Sequence, residues 1–141
     1  QESILTNIEN NKSLEQEINQ LQFNKDGLIP AIIQDYISHE ILMMAWMNKE
    51  AAIETIRTGY ACYFSRSRQK LWRKGETSGQ TQSVQKFRID CDADTVLLLV
   101  NQKGVACHTG RHSCFFKELS ADGKINIMGD VLIHPNDLYD K

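Results

Sequence analysis

Three of the four cysteines lie close together in the sequence, at Cys91, Cys107 and Cys114. A thiolate is a good ligand for zinc, and three protein ligands leave a fourth position for water, as in catalytic zinc sites. The segment between Cys107 and Cys114 is polar and contains His108 and His112. This spacing is wider than the tight pairing of a zinc knuckle, so two interpretations stay open: a zinc site, or free cysteines that are mostly buried.

Acidic residues alternate with small ones from Asp90 through Asp92 to Asp94, and Cys91 lies among them. On an extended strand the three aspartates would share one face, and Cys91 would point the other way. That geometry predicts two separate sites, with carboxylates for Mg²⁺ and sulfur for Zn²⁺. The alternative is a solvated strand edge whose charges discourage pairing with another strand.

A basic segment occupies residues 66–80, where cations cluster in a chain whose net charge is -2. It is predicted to be a loop that binds phosphate or a phosphorylated sugar, because arginine binds phosphate in a bidentate manner and glycine lets backbone N–H groups approach. Trp72 could stack on a base. The alternative is an ordinary solvated basic loop. The candidate substrate-binding residues are Arg66, Arg68, Trp72, Lys74, Glu76 and Ser78.

The elements that must position these residues follow from apolar patterning and turn residues. Asn48 is a good N-cap and Gly59 suits the position after a C-terminus, so a helix is predicted between them. Cys62 lies in an apolar pattern and is assigned to the core. The strand ending at Cys91 should bury the face that carries this cysteine. Strands are predicted over residues 28–34, 41–47, 60–65, 84–91 and 95–100, with a hairpin formed by residues 114–119 and 124–128.

This order of elements predicts an α+β fold: a single compact domain with a mostly antiparallel or mixed sheet and one main helix. Residues 1–26 are a helical or frayed leader, residues 27–119 the main domain, and residues 120–141 a hairpin strand and tail. The acidic net charge of -2 argues against nucleic-acid binding. The longest apolar run, residues 95–100, is too short to span a bilayer. Clustered cysteines without a secretory pattern favour a cytoplasmic protein.

Five ordered blocks together resemble the phosphoribosyl-AMP cyclohydrolase family. They lie within residues 27–116, about two thirds of the chain, and nothing outside that range contributes to the resemblance. The few residues that follow suggest the monofunctional form of the family. The blocks are AWMNKEA (45–51), FSRSR (64–68), LWRKGETSG (71–79), DCDAD (90–94), and ACHTG with SCF (106–110 and 113–115).

The resemblance implies hydrolysis of the N1–C6 bond of the adenine ring in N1-(5-phosphoribosyl)-AMP. The product is the formimino aminoimidazole carboxamide ribotide of histidine biosynthesis. The family forms an intertwined homodimer in which the zinc cysteines come from both chains, with one zinc per subunit. By resemblance, Zn²⁺ is bound by Cys91, Cys107 and Cys114, and Mg²⁺ by Asp90, Asp92 and Asp94.

His108 is the predicted catalytic base, because it follows Cys107 directly. Three thiolates donate charge and weaken zinc as a Lewis acid, so a separate base is useful. His112 is the alternative. Two other protein classes are alternatives. One is a zinc nucleobase deaminase, whose H-x-E and P-C-x-x-C signature is absent from this chain. The other is a zinc-stabilised RNA-binding module, which would need a broad basic face.

Overall fold

The computed structural model describes the backbone of residues 4–139 and the side chains of residues 12–138. Residues 1–3 of the predicted leader and residues 140–141 of the predicted tail lie outside this range. The elements are α1 (Ile4–Asn19), β1 (Ile29–Asp35), β2 (Ile41–Met47), α2 (Lys49–Thr58), β3 (Cys62–Ser65), β4 (Lys70–Arg73), β5 (Gln82–Ile89), β6 (Val96–Gln102), β7 (Lys117–Leu119), β8 (Ile125–Ile127) and α3 (Pro135–Tyr139).

The main sheet has four strands in the order β2-β1-β6-β5. β1 runs antiparallel to β2 and parallel to β6, while β5 runs antiparallel to β6. Alternate residues of the central strands, such as Ile29, Ala31 and Ile33, are fully buried, as the period of two in a strand requires. The predicted α+β class with a mixed sheet is therefore confirmed.

The caps predicted for α2 are confirmed. The side chain of Asn48 accepts a hydrogen bond from the N–H of Ala51, and Gly59 follows the helix in the left-handed conformation. Thr55 then joins the helix to β3: its hydroxyl donates to the Cys62 carbonyl at 3.1 Å and accepts from the Cys62 N–H at 2.9 Å. Cys62 is only 1% exposed, so its assignment to the core is also confirmed.

The prediction of one main helix underestimates the number of helices in residues 4–139. The leader contains α1, whose 16 residues exceed the 10 of α2. Ile18 and Leu21 are buried and Leu14 packs against the same core, at the helical spacing visible in the sequence. The tail also contains a short helix, α3, in which Leu138 is 2% exposed. Within residues 4–139, every helix is too short or too polar to cross a lipid bilayer.

The basic segment was predicted to be a loop, but only part of it is a loop. Part of it forms β4, which pairs antiparallel with β3 and sets Tyr63 opposite Trp72. The two aromatic rings lie 5.4 Å apart. Leu71 packs against the core, so the apolar pair within the cationic run allows β4 to form a separate two-stranded sheet with β3. The hairpin of β7 and β8 is confirmed, although it is shorter than predicted.

Candidate active site

The cysteine loop, residues 105–114, is closed by its own backbone. The N–H of Cys107 donates to the carbonyl of Arg111 at 3.1 Å. Gly110 has a φ of +87°, and a Cβ at this position would lie 1.8 Å from the carbonyl oxygen of Ile133. Any other residue at this position would be strained and would displace the backbone that packs on the loop.

Two hydrogen bonds fasten the end of the cysteine loop to β2. The N–H of Cys114 donates to the Leu42 carbonyl at 2.7 Å. The hydroxyl of Ser113 donates to the Ile41 carbonyl, also at 2.7 Å. These bonds satisfy backbone carbonyl groups of β2, a strand at the edge of the sheet, and hold the loop in a fixed position against it. The position of Cys114 is therefore determined by the core.

The sulfur atoms of Cys107 and Cys114 lie beside each other. Cys107 is buried, and the hydroxyl of Thr109 donates to its sulfur at 3.0 Å. Cys114 is exposed as a whole residue, yet burial of its thiol raises the pKa to about 12, with the charge and hydrogen bond of Cys107 acting in the same direction. Two adjacent thiols of this kind lose their protons when a cation joins them, so the pair fits a zinc ion.

Cys91 does not complete this site within one chain. Among the described residues, only Asp90, Asp92 and Asp94 bring three or more potential ligand atoms of His, Cys, Asp or Glu within 4.8 Å of one another. Cys91 itself is exposed. One chain therefore offers a sulfur pair at one place and a solvent-facing cysteine at another.

The acidic turn, residues 90–94, brings its carboxylates together in a way that differs from the predicted strand. β5 ends at Ile89, and Ala93 has a positive φ of 62°. A carboxylate oxygen of Asp90 accepts hydrogen bonds from the N–H groups of Asp94 and Thr95 at 3.0 and 3.2 Å. A turn built around this aspartate gathers the three acids, which Mg²⁺ prefers as oxygen ligands.

The strand alternation used for these residues was therefore wrong. Cys91 lies in the turn rather than on a strand, and it is exposed rather than on a buried face. Ile89, on the face predicted to be buried, is 48% exposed. β5 is an edge strand of the main sheet, and period-two patterning does not translate into burial at its end.

The crowding of the carboxyl groups affects their protonation. Hydrogen bonds with the carboxyl groups of Asp92 and Asp90 raise the pKa of Asp94. Like charges at such short range favour retention of a proton unless a cation lies between them. The acidic turn is thus a donor set that a divalent cation would stabilise.

A cavity of about 630 Å³ lies beside β2, β3 and β4. It is lined by five of the six predicted substrate-binding residues: Arg68, Trp72, Lys74, Glu76 and Ser78. Arg66 lies outside the lining, with its guanidinium 5.1 Å from the ring centroid of Trp46. Trp46 itself lines the cavity and was not among the predicted site residues. Because Trp46 lies near the end of the apolar pattern of β2, the sequence indicates a core residue rather than a site residue at this position.

The cavity and the cysteine loop share a boundary. The ammonium group of Lys74, a lining residue, donates to the Ala106 carbonyl in the loop at 2.7 Å. Nearby, the side chain of Gln80 accepts from the N–H of Val105 at 3.0 Å. Both bonds join the basic segment to the cysteine loop, so the predicted phosphate-binding and sulfur-bearing residues are brought together.

The two candidate bases are placed differently. His108 is exposed and lines a second cavity, of about 430 Å³, together with Cys107 and Cys114. The ring of His112 instead lies between acids of the β1–β2 turn: its Nδ1 is 2.5 Å from Glu40 and its Nε2 is 3.7 Å from Asp35. His108 therefore lies beside the sulfur pair, whereas His112 contacts acidic side chains.

Comparison with known proteins gives a consistent result. A sequence model of the phosphoribosyl-AMP cyclohydrolase family matches residues 43–116, a range that includes the basic segment, the acidic turn and the cysteine loop. The phosphoribosyl-AMP cyclohydrolase of Rhodospirillum rubrum is 60% identical over 119 residues, covering 84% of this chain and 83% of that protein. The one from Magnetococcus marinus is 58% identical over 121 residues, covering 86% and 93%. The one from Chlorobium chlorochromatii is 48% identical over 130 residues, covering 92% and 95%.

Proposed function

Because this chain belongs to the phosphoribosyl-AMP cyclohydrolase family of histidine biosynthesis, we propose that it opens the adenine ring of N1-(5-phosphoribosyl)-AMP with a zinc-activated water. The bond broken is N1–C6. The observation that carries the proposal is the shared boundary of the cavity and the cysteine loop, formed by the bond between Lys74 and Ala106. It supports a binding site for a charged nucleotide adjacent to the proposed zinc site.

The proposed zinc ligands are Cys91, Cys107 and Cys114. The adjacent sulfurs of Cys107 and Cys114 support this assignment, since zinc favours thiolates. When bound, zinc supplies Lewis acidity that makes a hydroxide nucleophile available near neutral pH. The chain itself supplies the position of two ligands, which the bonds from the cysteine loop to β2 hold in place.

A homodimer is proposed because Cys91 does not reach the sulfur pair within one chain. The exposed apolar residues of the hairpin and its surroundings are consistent with a covered surface, since patches of this kind mark interfaces. Two-fold symmetry then gives two equivalent sites, each with Cys91 from one chain and the sulfur pair from the other. The exposed apolar residues in question are Phe115, Leu119, Ile125, Ile127 and Leu132.

Mg²⁺ is proposed at the acidic turn, with Asp90, Asp92 and Asp94 as its ligands. The convergence of the three carboxylates within 4.8 Å supports this site. Mg²⁺ keeps several of its waters and commonly joins carboxylates to substrate phosphates. The acidic turn therefore provides a second place at which a phosphate of the substrate could be held.

His108 is the proposed general base. Its exposed ring borders the sulfur pair, where it can take a proton from water and then give one to the leaving N1 atom. The cavity residues orient the substrate for this step: Trp72 and Trp46 offer aromatic faces to the adenine, while Arg68 and Lys74 offer positive charge to phosphate. Holding both ends of a large ligand fixes C6 relative to the nucleophile.

The test is to measure bound zinc and ring opening on the same sample, the latter as a change in ultraviolet absorbance. We expect about one zinc per chain and activity that is lost on chelation and regained with zinc. Ammonia release from an adenine nucleotide without ring opening would instead identify a deaminase. Zinc binding with RNA affinity and no turnover would identify the RNA-binding alternative.

A further inference from the structure

Lys74 has a contact that a residue dedicated to phosphate would not need. It follows β4, where its N–H donates to the Ala61 carbonyl at 3.1 Å. Its side chain lines the 630 Å³ cavity, but its ammonium group is directed to the Ala106 carbonyl, at 2.7 Å. Ala106 directly precedes Cys107, so the contact acts on the backbone that carries a sulfur ligand.

The surroundings of this ammonium group are unusual for a lysine. Burial lowers the pKa of Lys74, while the charges of Cys114 and Cys107 act in the opposite direction. The amine also lies 5.7 Å from the ring centroid of Trp72. Keeping a lysine half-buried has a free-energy cost, so a specific interaction must offset it.

A matched lysine lies on the same hairpin. Lys70 begins β4 and lines the same cavity, but its side chain is exposed. The two lysines have the same charge and border the same space. They differ in that Lys74 contacts the cysteine loop, which makes Lys70 the natural control for any effect of charge on the cavity.

We propose that Lys74 is a positioning residue of the zinc site: its ammonium group holds the carbonyl of Ala106, which directly precedes Cys107, and places a positive charge on the cysteine loop. This inference rests on the proposed function and adds to the substrate-binding role predicted for Lys74. Three thiolates and one Zn²⁺ carry a net charge of about -1, and a fixed ammonium group offsets it. Groups that orient and balance metal ligands in this way strongly affect metal affinity.

The experiment compares Lys74→Met, Lys74→Arg and Lys70→Met with wild type in full-length protein. Zinc affinity is measured by competition with a chromogenic chelator. We expect Lys74→Met to weaken zinc binding roughly 10-fold, and Lys70→Met to leave it unchanged. Lys74→Arg keeps a cationic donor and should recover part of the affinity. The melting temperature of each metal-free protein shows whether the fold is intact.

The kinetic constants provide a second measurement. A residue that only binds phosphate equally in the ground and transition states would change KM with kcat unchanged. We expect Lys74→Met to lower kcat as well, at saturating zinc, because the zinc ligands are displaced. If Lys74→Met does not fold, Lys74→Gln provides the same test. Glutamine is uncharged and one atom shorter than lysine, so this variant should also bind zinc less tightly than wild type.

Wild-type zinc affinity in the folded Lys74→Met or Lys74→Gln protein would overturn the inference, as would an equal loss in Lys70→Met. These results are distinct from failure of the proposed function. Zinc binding by wild type without ring opening would contradict that function, while the affinities would still decide the role of Lys74. A wild-type protein that binds no zinc would contradict both.

Discussion

The cysteine loop and the acidic turn both gather groups that bind metals, but they are built in different ways. The cysteine loop is tied to β2 through Cys114 and Ser113, and to the basic segment through Lys74. The acidic turn is organised by its own residues, since Asp90 accepts the N–H groups that follow it. One cluster is positioned by tertiary contacts and needs a further ligand, whereas the other is local and already contains three carboxylates.

This difference has a consequence for mutation. The acidic turn should lose its metal with little effect on the rest of the protein, because hydrogen bonds within the turn hold its carboxylates. The cysteine loop contacts the core and the cavity and, in the proposed dimer, a second chain, so a change there should affect metal binding, activity and assembly together.

The largest effect is expected at the sulfur pair. Cys107→Ser or Cys114→Ser should remove most bound zinc and lower ring-opening activity by more than about 100-fold, because even changes in residues that only orient zinc ligands cost 10–100-fold. Zinc per chain and activity are measured on the same samples. Cys62→Ala is the matched control, since this cysteine lies in the core away from the site. Full zinc occupancy in the serine variants would contradict the assignment.

The next largest effect tests whether the site is shared between chains. Cys91→Ser and Cys107→Ser proteins should each be inactive, but in a mixed dimer one site carries both changes and the other carries none. Random exchange gives about half heterodimers, so activity should return to roughly a quarter of wild type. The measurement is activity after mixing, with subunit exchange followed by mass spectrometry of differently labelled chains. Demonstrated exchange without recovery would mean that each site is built within one chain.

A smaller and more selective effect is expected at the acidic turn. Asp92→Asn removes one charged ligand, so the Mg²⁺ concentration needed for half-maximal activity should rise roughly 10-fold. Zinc content should stay at the wild-type level because Asp92 is not a proposed zinc ligand and asparagine has nearly the same size and shape. Asp122→Asn, in an exposed turn elsewhere, is the control. Loss of both metals in folded Asp92→Asn would show that the two sites are coupled, and would contradict the proposed difference between the acidic turn and the cysteine loop.

Sequence patterning predicted the parts of this molecule whose conformation is decided locally. The caps of α2 follow from the types of Asn48 and Gly59, because each satisfies backbone groups within one turn of itself. Burial of Cys62 followed from its apolar neighbours. The candidate ligands of the acidic turn and the cysteine loop could be identified from the sequence because metal-binding residue types are grouped there.

The errors arose where tertiary context decides. The acidic residues were assigned to a strand, but β5 ends at the edge of the sheet and Asp90 begins a turn instead. β4 was not predicted, because the five cations of this segment dominate its composition and obscure the apolar pair Leu71 and Trp72. The pairing of β4 with β3 becomes apparent only in the structure. Arg66 was grouped with its neighbours by composition, although its guanidinium stacks on Trp46. Composition identifies candidates, and the direction of each side chain depends on the fold.

The smallest effect concerns a second anchor of the cysteine loop, at the β1–β2 turn. His112 lies 2.5 Å from Glu40 and 3.7 Å from Asp35, and Asp35 also accepts the N–H groups of Ile37 and Ser38, both at 2.9 Å. Burial would raise the pKa of Asp35, but these hydrogen bonds and the charge of His112 outweigh it, so the pKa lies below its usual value of 3.8.

A carboxyl group whose pKa is lowered by folding stabilises the folded state above its unfolded pKa, and that contribution is lost as the pH falls through the lowered folded pKa. Wild-type protein should therefore lose thermal stability more steeply than Asp35→Asn as the pH falls below about 4, with a difference of at most about 3 °C because the contact is near the surface. Asparagine keeps an oxygen acceptor for the turn, so the fold is retained. Melting curves of zinc-free protein from neutral to acidic pH provide the measurement, since zinc release at low pH then has no influence. Parallel curves for the two proteins would show that Asp35 does not contribute through its charge, leaving the bonds to β2 and to the basic segment as the anchors that hold the cysteine loop.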